Sequence, residues 1–560
     1  MLAKWSLSGI VAFYSSTLGS PLPLLDSIIT DAMMSHWNQL FPWLSFLIYK
    51  VIMKPAPAAG TLEGYSLTKM ETLRLVGELF GALCQYSASA RQLVRSTPEV
   101  RRTLMQLWTV SVDTHFLHGS APWDEGAMDI MRTTIAAAVI EILSGTDISP
   151  FIEDAGGVTP FVLTALKLIR MTTAALKKLP TSPSSLRRAD QSPYLVMLAG
   201  GISHTARLLI VSSHDNVEIR QAFLDGGSIP TVIDALGQLQ ARLLLPLGDN
   251  IDRRPQRGLP LKRQMLNFGY GYLLLLLEES EDAPALVGEM INARILDTIV
   301  TTMTPRYDTE PDEGDINFLR ILPQFLMYRS VLTAMNQSIR RIVGRGIRVR
   351  DSPDVKLRKE WSHVETVVTR YSRLEEQEDL DPFYDYSCGS PFCTRDDDPP
   401  LYRCKACRVI CYCSKKCQRA DWRASHRSSC EAFGATVGLY GTRALRKSLP
   451  LIAAIEREEW KIHEISLMQL VIRAKMNFPN CRDRLVVELD LVCPLDEYMV
   501  NFPNNPIWQK FFISIEAAER RGQHGFIITV AKIPQQFHKI TTILSPDHAL
   551  KIHRKALGID

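Results

Sequence analysis

The chain runs to 560 residues, 46% hydrophobic and 22% charged, with a formal net charge of +4. That length exceeds one domain and leaves ample material for a hydrophobic core. The composition is that of an ordinary globular protein, and so slight a charge excludes a chain-wide field for nucleic acid or a membrane surface.

The first twenty residues hold one lysine and a mildly apolar stretch broken by serines. No small-x-small cleavage site follows, so a secretory leader is not expected. Trp37 to Met53 is apolar but interrupted by Asn38, Gln39, Pro42 and Lys50. It is too short and too broken for a membrane span. Residues 1–67 read as an N-terminal helical segment.

Residues 68–380 read as a succession of amphipathic helices. Leu73, Leu75, Val76, Leu79, Phe80 and Leu83 recur at helical spacing, as do Ile130, Ile135, Val139, Ile140 and Ile142. The run Tyr270 to Leu277 suits a buried helix segment, and 179–193 and 246–262 read as loops. Three short passages resemble one another: Phe151 to Val162, Phe223 to Val232 and Leu286 to Leu296. Each reads as a helix end, a tight turn and a new helix. This pattern is similar to the helix junctions of armadillo-type repeats, where one repeat buries its apolar face only by stacking on the next.

Helices are expected over 316–348 and 355–377. The first ends in Arg340, Arg341, Arg345, Arg348 and Arg350, interleaved with Ile342, Val343, Ile347 and Val349. That alternation predicts an amphipathic helix with a solvated basic face. Glu375 to Asp385 then carries six acidic residues and no basic one.

Eight of the eleven cysteines fall between 388 and 430. Cys388 and Cys393 form a pair, Cys404 and Cys407 a C-x2-C knuckle, Cys413 and Cys417 a C-x3-C turn, and His426 and Cys430 an H-x3-C step. Two ligands so spaced can share one tetrahedral Zn²⁺, so four pairs predict two closed, structural zinc sites with no open position for a reacting water. Cys411 is the odd one out, and by spacing alone it could stand in for Cys413. Nine Lys or Arg against four Asp surround these ligands. Seven thiolates and two Zn²⁺ bring the loaded segment down to about +2. Zinc thiolates need a reducing compartment, which points to cytoplasm or nucleus. Cys84, Cys481 and Cys493 lie in apolar surroundings and read as buried free thiols.

The segment 386–432 resembles the MYND-type zinc finger, with Tyr412, Ser414, Gln418, Asp421 and Trp422 where that family has them. The resemblance implies interleaved ligation. Cys388, Cys393, Cys413 and Cys417 would hold one zinc, and Cys404, Cys407, His426 and Cys430 the other. Two departures stand out: the first pair is C-x4-C, and one extra residue separates Trp422 from His426. The family is a protein-interaction module that takes up short proline-containing segments, which casts Gln418 and Trp422 as groove residues. A competing role for Trp422 is packing on the zinc core.

Residues 433–560 read as a small α+β region, with strands at Arg484 to Cys493 and Phe526 to Ile533 and helices near 456–476 and 507–521. The whole chain resembles the MYND-finger proteins abundant in fungi. The expected fold is therefore mainly α: an armadillo-like helical solenoid, a two-zinc MYND finger and a small α+β C-terminal region. No phosphate-binding loop, dinucleotide fingerprint or nucleophile elbow occurs. The enzymatic alternative is a SET/MYND-like lysine methyltransferase. Its Asn-His-Ser-like segment has no match, since Asn477 to Cys481 and Asn501 to Asn504 lack the histidine and serine. A RING-type ligase and a DNA-binding transcriptional regulator are further alternatives. The favoured reading is a non-catalytic adaptor with protein partners, engaged through the finger and the helical surface, and with no nucleic-acid or membrane partner.

Overall fold

The computed structural model describes residues 35–49, 72–113, 125–179, 191–243, 258–302 and 313–377 with brief interruptions, parts of 388–430, single positions from 448 to 462, and four strands between 485 and 544. By contact the chain divides into two compact units that alternate along the sequence. One comprises Met1–Glu279, Asn292–Phe318 and Ile347–Leu357; the other comprises Ser280–Ile291, Leu319–Gly346 and Arg358–Asp560.

The first unit is built of helices. It contains α1 (Trp37–Leu47), α2 (residues 72–81), α3 (Ala88–Ser96), α4 (Pro98–Ser111), α5 (Glu125–Leu143), α6 (Ser149–Asp154) and α7 (Val158–Lys178). There follow α8 (Gln191–Ser213), α9 (Val217–Asp225), α10 (Ser228–Leu243) and α11 (Gly258–Glu279). Local chemistry sets several starts. Pro98 opens α4 where no backbone donor is needed, and Asn216 accepts from the Ile219 N–H at 3.1 Å to cap α9. Inside, α8 packs against α5, α7 and α11, while α7 packs against α10. The apolar positions read from Leu73 to Leu83 are all buried, as are Ile135, Val139, Ile140 and Ile142. Ile130 departs from that set: it is 41% exposed, on the outer side of α5.

Helix C-termini leave carbonyls without intrahelical partners, and in this unit arginines from neighbouring helices supply them. Arg95 donates to the carbonyls of Glu141, Ile142 and Ser144 at the end of α5, and Arg132 to that of Ser111 at the end of α4. Arg170 reaches from α7 to the Gly226 carbonyl at 2.6 Å, closing α9. Among the described residues two helices, α7 and the part of α8 from Tyr194, are long and apolar enough to cross a bilayer by length and composition. About half of each is buried against its neighbours, as core helices of this composition are.

The three similar passages share a backbone device. The chain turns through positive φ at Gly157 (107°), Gly227 (76°) and Arg294 (74°). At each, a short helix ends and another begins: α6 to α7, α9 to α10, and α12 (Ala283–Asn292) to α13 (Ile295–Thr302). Glycine suits the first two because it has no Cβ to strain there, whereas Arg294 bears that strain.

The helix expected over 316–348 is broken. It comprises α14 (Glu313–Ile321), a 3₁₀ turn over Leu322–Phe325 and α15 (Arg329–Gly344). Pro323 lies inside the break and supplies no backbone donor. Helix α16 spans Val355–Gln377 as expected. Ile342 and Val349 are buried, but Val343 is 61% exposed among the arginines. The loops expected at 179–193 and 246–262 are shorter at their ends, because α8 begins at Gln191 and α11 at Gly258.

In the second unit, α15 and α16 are joined by Asn336 donating to Ser372 Oγ at 2.6 Å. Burial, with Asp282 nearby, pushes the Tyr328 phenol up to about 12. The chain beyond the finger returns to these helices. The Arg329 N–H donates to Ser448 Oγ at 3.0 Å, and Arg373 pairs with Glu458 at 3.2 Å. A four-stranded sheet follows, of β3 (Leu485–Asp490), β4 (Met499–Asn501), β5 (Ile527–Lys532) and β6 (Thr541–Leu544). Its order is β4-β3-β5-β6, with β3 and β5 parallel and the outer pairs antiparallel. Cys481, Cys493 and the helix expected at 507–521 lie outside the described residues.

Candidate metal centre

The finger is organised around a minimal hairpin, β1 (Tyr402–Arg403) against β2 (Cys411–Tyr412), with Tyr402 opposite Tyr412 and Arg403 opposite Cys411. Cys404 follows β1 directly and Cys413 follows β2 directly, so the hairpin delivers one cysteine from the end of each strand. Ser414 then caps α17 (Lys415–Asp421), its Oγ accepting from the Cys417 N–H at 3.2 Å. Cys413 and Cys417 thus bracket a helix N-terminus, where negative charge is favoured. Cys393 is held by its N–H donating to the Ser390 carbonyl at 3.0 Å, a turn that the longer C-x4-C spacing accommodates.

Two donor sets result. The Sγ atoms of Cys388, Cys393, Cys413 and Cys417 all lie within 4.8 Å of one another. Cys393 to Cys413 and Cys413 to Cys417 are each 3.5 Å. Cys404, His426 and Cys430 form the second set, all buried, with Cys404 and Cys430 sulfurs 3.9 Å apart. Cys407, the fourth expected member, lies outside the described residues, as does the side chain of Cys411.

These sets fit zinc. A tetrahedral ion with bonds of about 2.3 Å places sulfurs about 3.8 Å apart. The observed separations bracket that value and are far longer than a disulfide bond of about 2 Å. The described members are free thiols. Burial pushes the Cys388 thiol up to about 12 and raises Cys413 as well, while the Ser414 hydroxyl lowers Cys417. Four sulfurs this close together become thiolates together only against a compensating cation.

Around the second set the support is aromatic. Tyr412 donates to Asp421 Oδ2 at 2.7 Å, and both residues are buried. The rings of Tyr412 and Trp422 stand edge-on to the His426 imidazole, with centroids at 6.1 and 5.5 Å. Trp422 nevertheless keeps 38% of its surface exposed, so packing on the metal core and display to solvent coexist in one side chain. Gln418, half-buried, lies four residues before it on the same continuous helix.

The helix widens into a π turn over Trp422–His426. A π turn holds one residue more than an α turn, and this one falls where the extra residue separates Trp422 from His426. The insertion is absorbed by the backbone, so His426 still reaches Cys404 and Cys430. Among the described residues a third grouping of donors, His214, Asp215 and Glu279, lies largely exposed in the first unit. There Glu279 already receives Arg220 and His214. It has no thiolate and is a polar helix-end cluster.

Residues 387–430 match the family model of the MYND finger. No curated protein and no solved structure matches the chain. The segment is a MYND-type zinc finger, a class of domain that generally mediates protein interactions. The spacing and the family pattern pointed to the ligands and to Tyr412 and Asp421 as positions. The bond between those two, the Ser390 turn and the π turn had no signal of their own beyond the unusual spacings.

Proposed function

We propose that the protein is a zinc-binding interaction adaptor of the cytoplasm or nucleus. Its finger holds two structural Zn²⁺: one on Cys388, Cys393, Cys413 and Cys417, the other on Cys404, Cys407, His426 and Cys430. It captures short proline-containing segments of partner proteins through Gln418 and Trp422. The observation that carries this reading is the dual placement of Trp422, braced edge-on by His426 yet 38% exposed. An indole held rigidly at a surface suits stacking on a pyrrolidine ring, and a neighbouring amide can reach the peptide backbone.

The helical part is read as armadillo-like, a stacked support with a further protein-binding surface. The repeated short-helix, positive-φ, helix junctions at Gly157, Gly227 and Arg294 support that reading. Residues 433–560 are read as a small α+β accessory region, supported by the mixed sheet of β3 to β6.

The test uses the full-length, zinc-loaded protein. Metal analysis is expected to give two zinc ions per chain. Proline-rich peptides are expected to bind with roughly micromolar affinity. Trp422→Ala is expected to keep its zinc and lose the peptide. One zinc or none defeats the two-site assignment, and an unchanged peptide affinity in a zinc-replete Trp422→Ala protein defeats the groove.

A further inference from the structure

We infer that the segment captured by the finger is acidic, its carboxylates paired with a row of cations on the finger helix. This deepens the peptide-binding reading above and rests on it. Lys415, Arg419, Arg423 and Arg427 follow one another at intervals of four, and Lys416 lies beside the first. All five are exposed, and among the described residues none has an ion-pair partner. The one acid within the same stretch, Asp421, is buried and engaged by Tyr412. Among the described residues, then, no carboxylate neutralises the row.

The geometry of the helix keeps that row straight. In an α-helix four residues overshoot one turn by about 40°. In a π turn, whose bonds reach one residue further, four residues fall short of a turn. The π turn at Trp422–His426 follows the α-helical stretch Lys415–Asp421, so the two drifts oppose each other. The result is a single file of cations beside Trp422, rather than a spiral around the helix.

A single file matches an extended peptide. Alternate residues of a strand point the same way and repeat at about 6.6 Å. Cations four apart on an α-helix repeat at about 6.0 Å. Carboxylates at every second position can thus meet successive cations while a proline lies on Trp422. A nucleic acid is the poorer fit. With its thiolates and two zinc ions the finger carries only about +2, too little to hold a phosphate backbone by charge.

The experiment is fluorescence polarisation with the full-length, zinc-loaded protein and labelled synthetic peptides. Each has the same central Pro-x-Pro, flanked at alternate positions by Glu in one and by Gln in the other. At about 50 mM salt the Glu peptide is expected to bind about tenfold more tightly, and the gap is expected to close toward about 500 mM. The double variant Arg419→Glu with Arg423→Glu is expected to abolish or reverse the preference at unchanged zinc content. Should that variant lose zinc, Arg419→Gln with Arg423→Gln serves instead, with the preference expected to vanish. Equal affinity for the two peptides overturns this inference while leaving the proline groove standing. Failure of both peptides to bind removes the groove as well. A duplex DNA of mixed sequence binding more tightly than the Glu peptide assigns the cations to phosphate and overturns the inference.

Discussion

The phenol of Tyr412 donates a 2.7 Å hydrogen bond to Asp421 Oδ2, with both side chains sealed from solvent. The bond ties the end of β2 to the end of α17, and so fixes the distance between Cys413 and the turn that carries His426. In Tyr412→Phe the ring still packs on His426, but the buried carboxylate loses this donor. A loss of about 1–3 kcal/mol in finger stability follows. Chelator competition is expected to strip zinc from the variant at lower chelator concentration than from the parent. Identical zinc retention would show that the bond contributes nothing.

The ligand clusters themselves supply the folding energy of a segment with so small an apolar core, where zinc contributes ~10–16 kcal/mol in comparable fingers. Cys413→Ser and Cys404→Ser, one in each donor set, are expected to unfold the finger without melting the helices of the first unit. Metal analysis with far-ultraviolet circular dichroism separates the two effects. A large fall in helical signal would mean that the finger supports the helices, contrary to expectation.

A pH response is expected from α8. Burial pushes the His204 imidazole below its ordinary value, with Arg207 adding to the effect and Glu141 opposing it. The unfolded chain therefore takes up this proton at higher pH than the folded one. The stabilising difference is intact above the ordinary histidine value of about 6.5 and is lost as the pH falls below it. Urea midpoints of the parent are expected to decline between neutral pH and about pH 5 more steeply than those of His204→Gln. Parallel profiles would remove His204 as the source.

Cys84 offers a reporter of unfolding. Burial raises its thiol to about 12, well above the working range of alkylating reagents at neutral pH. It is expected to stay unmodified by iodoacetamide in the folded protein and to react once urea opens the first unit. Mass spectrometry of the peptide carrying Cys84 reads the outcome, and rapid modification of the folded protein would contradict the burial.

The chemistry of the finger was legible in the sequence to an unusual degree, because metal ligation demands particular residue types at particular spacings. Cys388, Cys393, Cys413 and Cys417 are brought together, as are Cys404, His426 and Cys430. Helical periodicity likewise located the buried faces around Leu79 and around Val139, since burial is what selects apolar side chains. What stayed hidden depends on backbone detail. Pro323 could have been read as a break but sat inside a long apolar pattern, and Arg294 adopts a positive φ that its side chain does not advertise. The exposure of Ile130 and Val343 has no marker in a periodicity that simply counts apolar residues.

The parallel pairing of Leu485 with Ile527 has a consequence for the order of events during folding. The finger hairpin joins residues about ten apart, Tyr402 with Tyr412, and closes with little loss of chain entropy. The sheet must wait for some forty intervening residues before its central strands can meet. As the chain leaves the ribosome, the finger is thus complete and able to take up metal while β3 still lacks its parallel partner β5. During that interval β3 presents one unpaired edge, which the arrival of β5 covers.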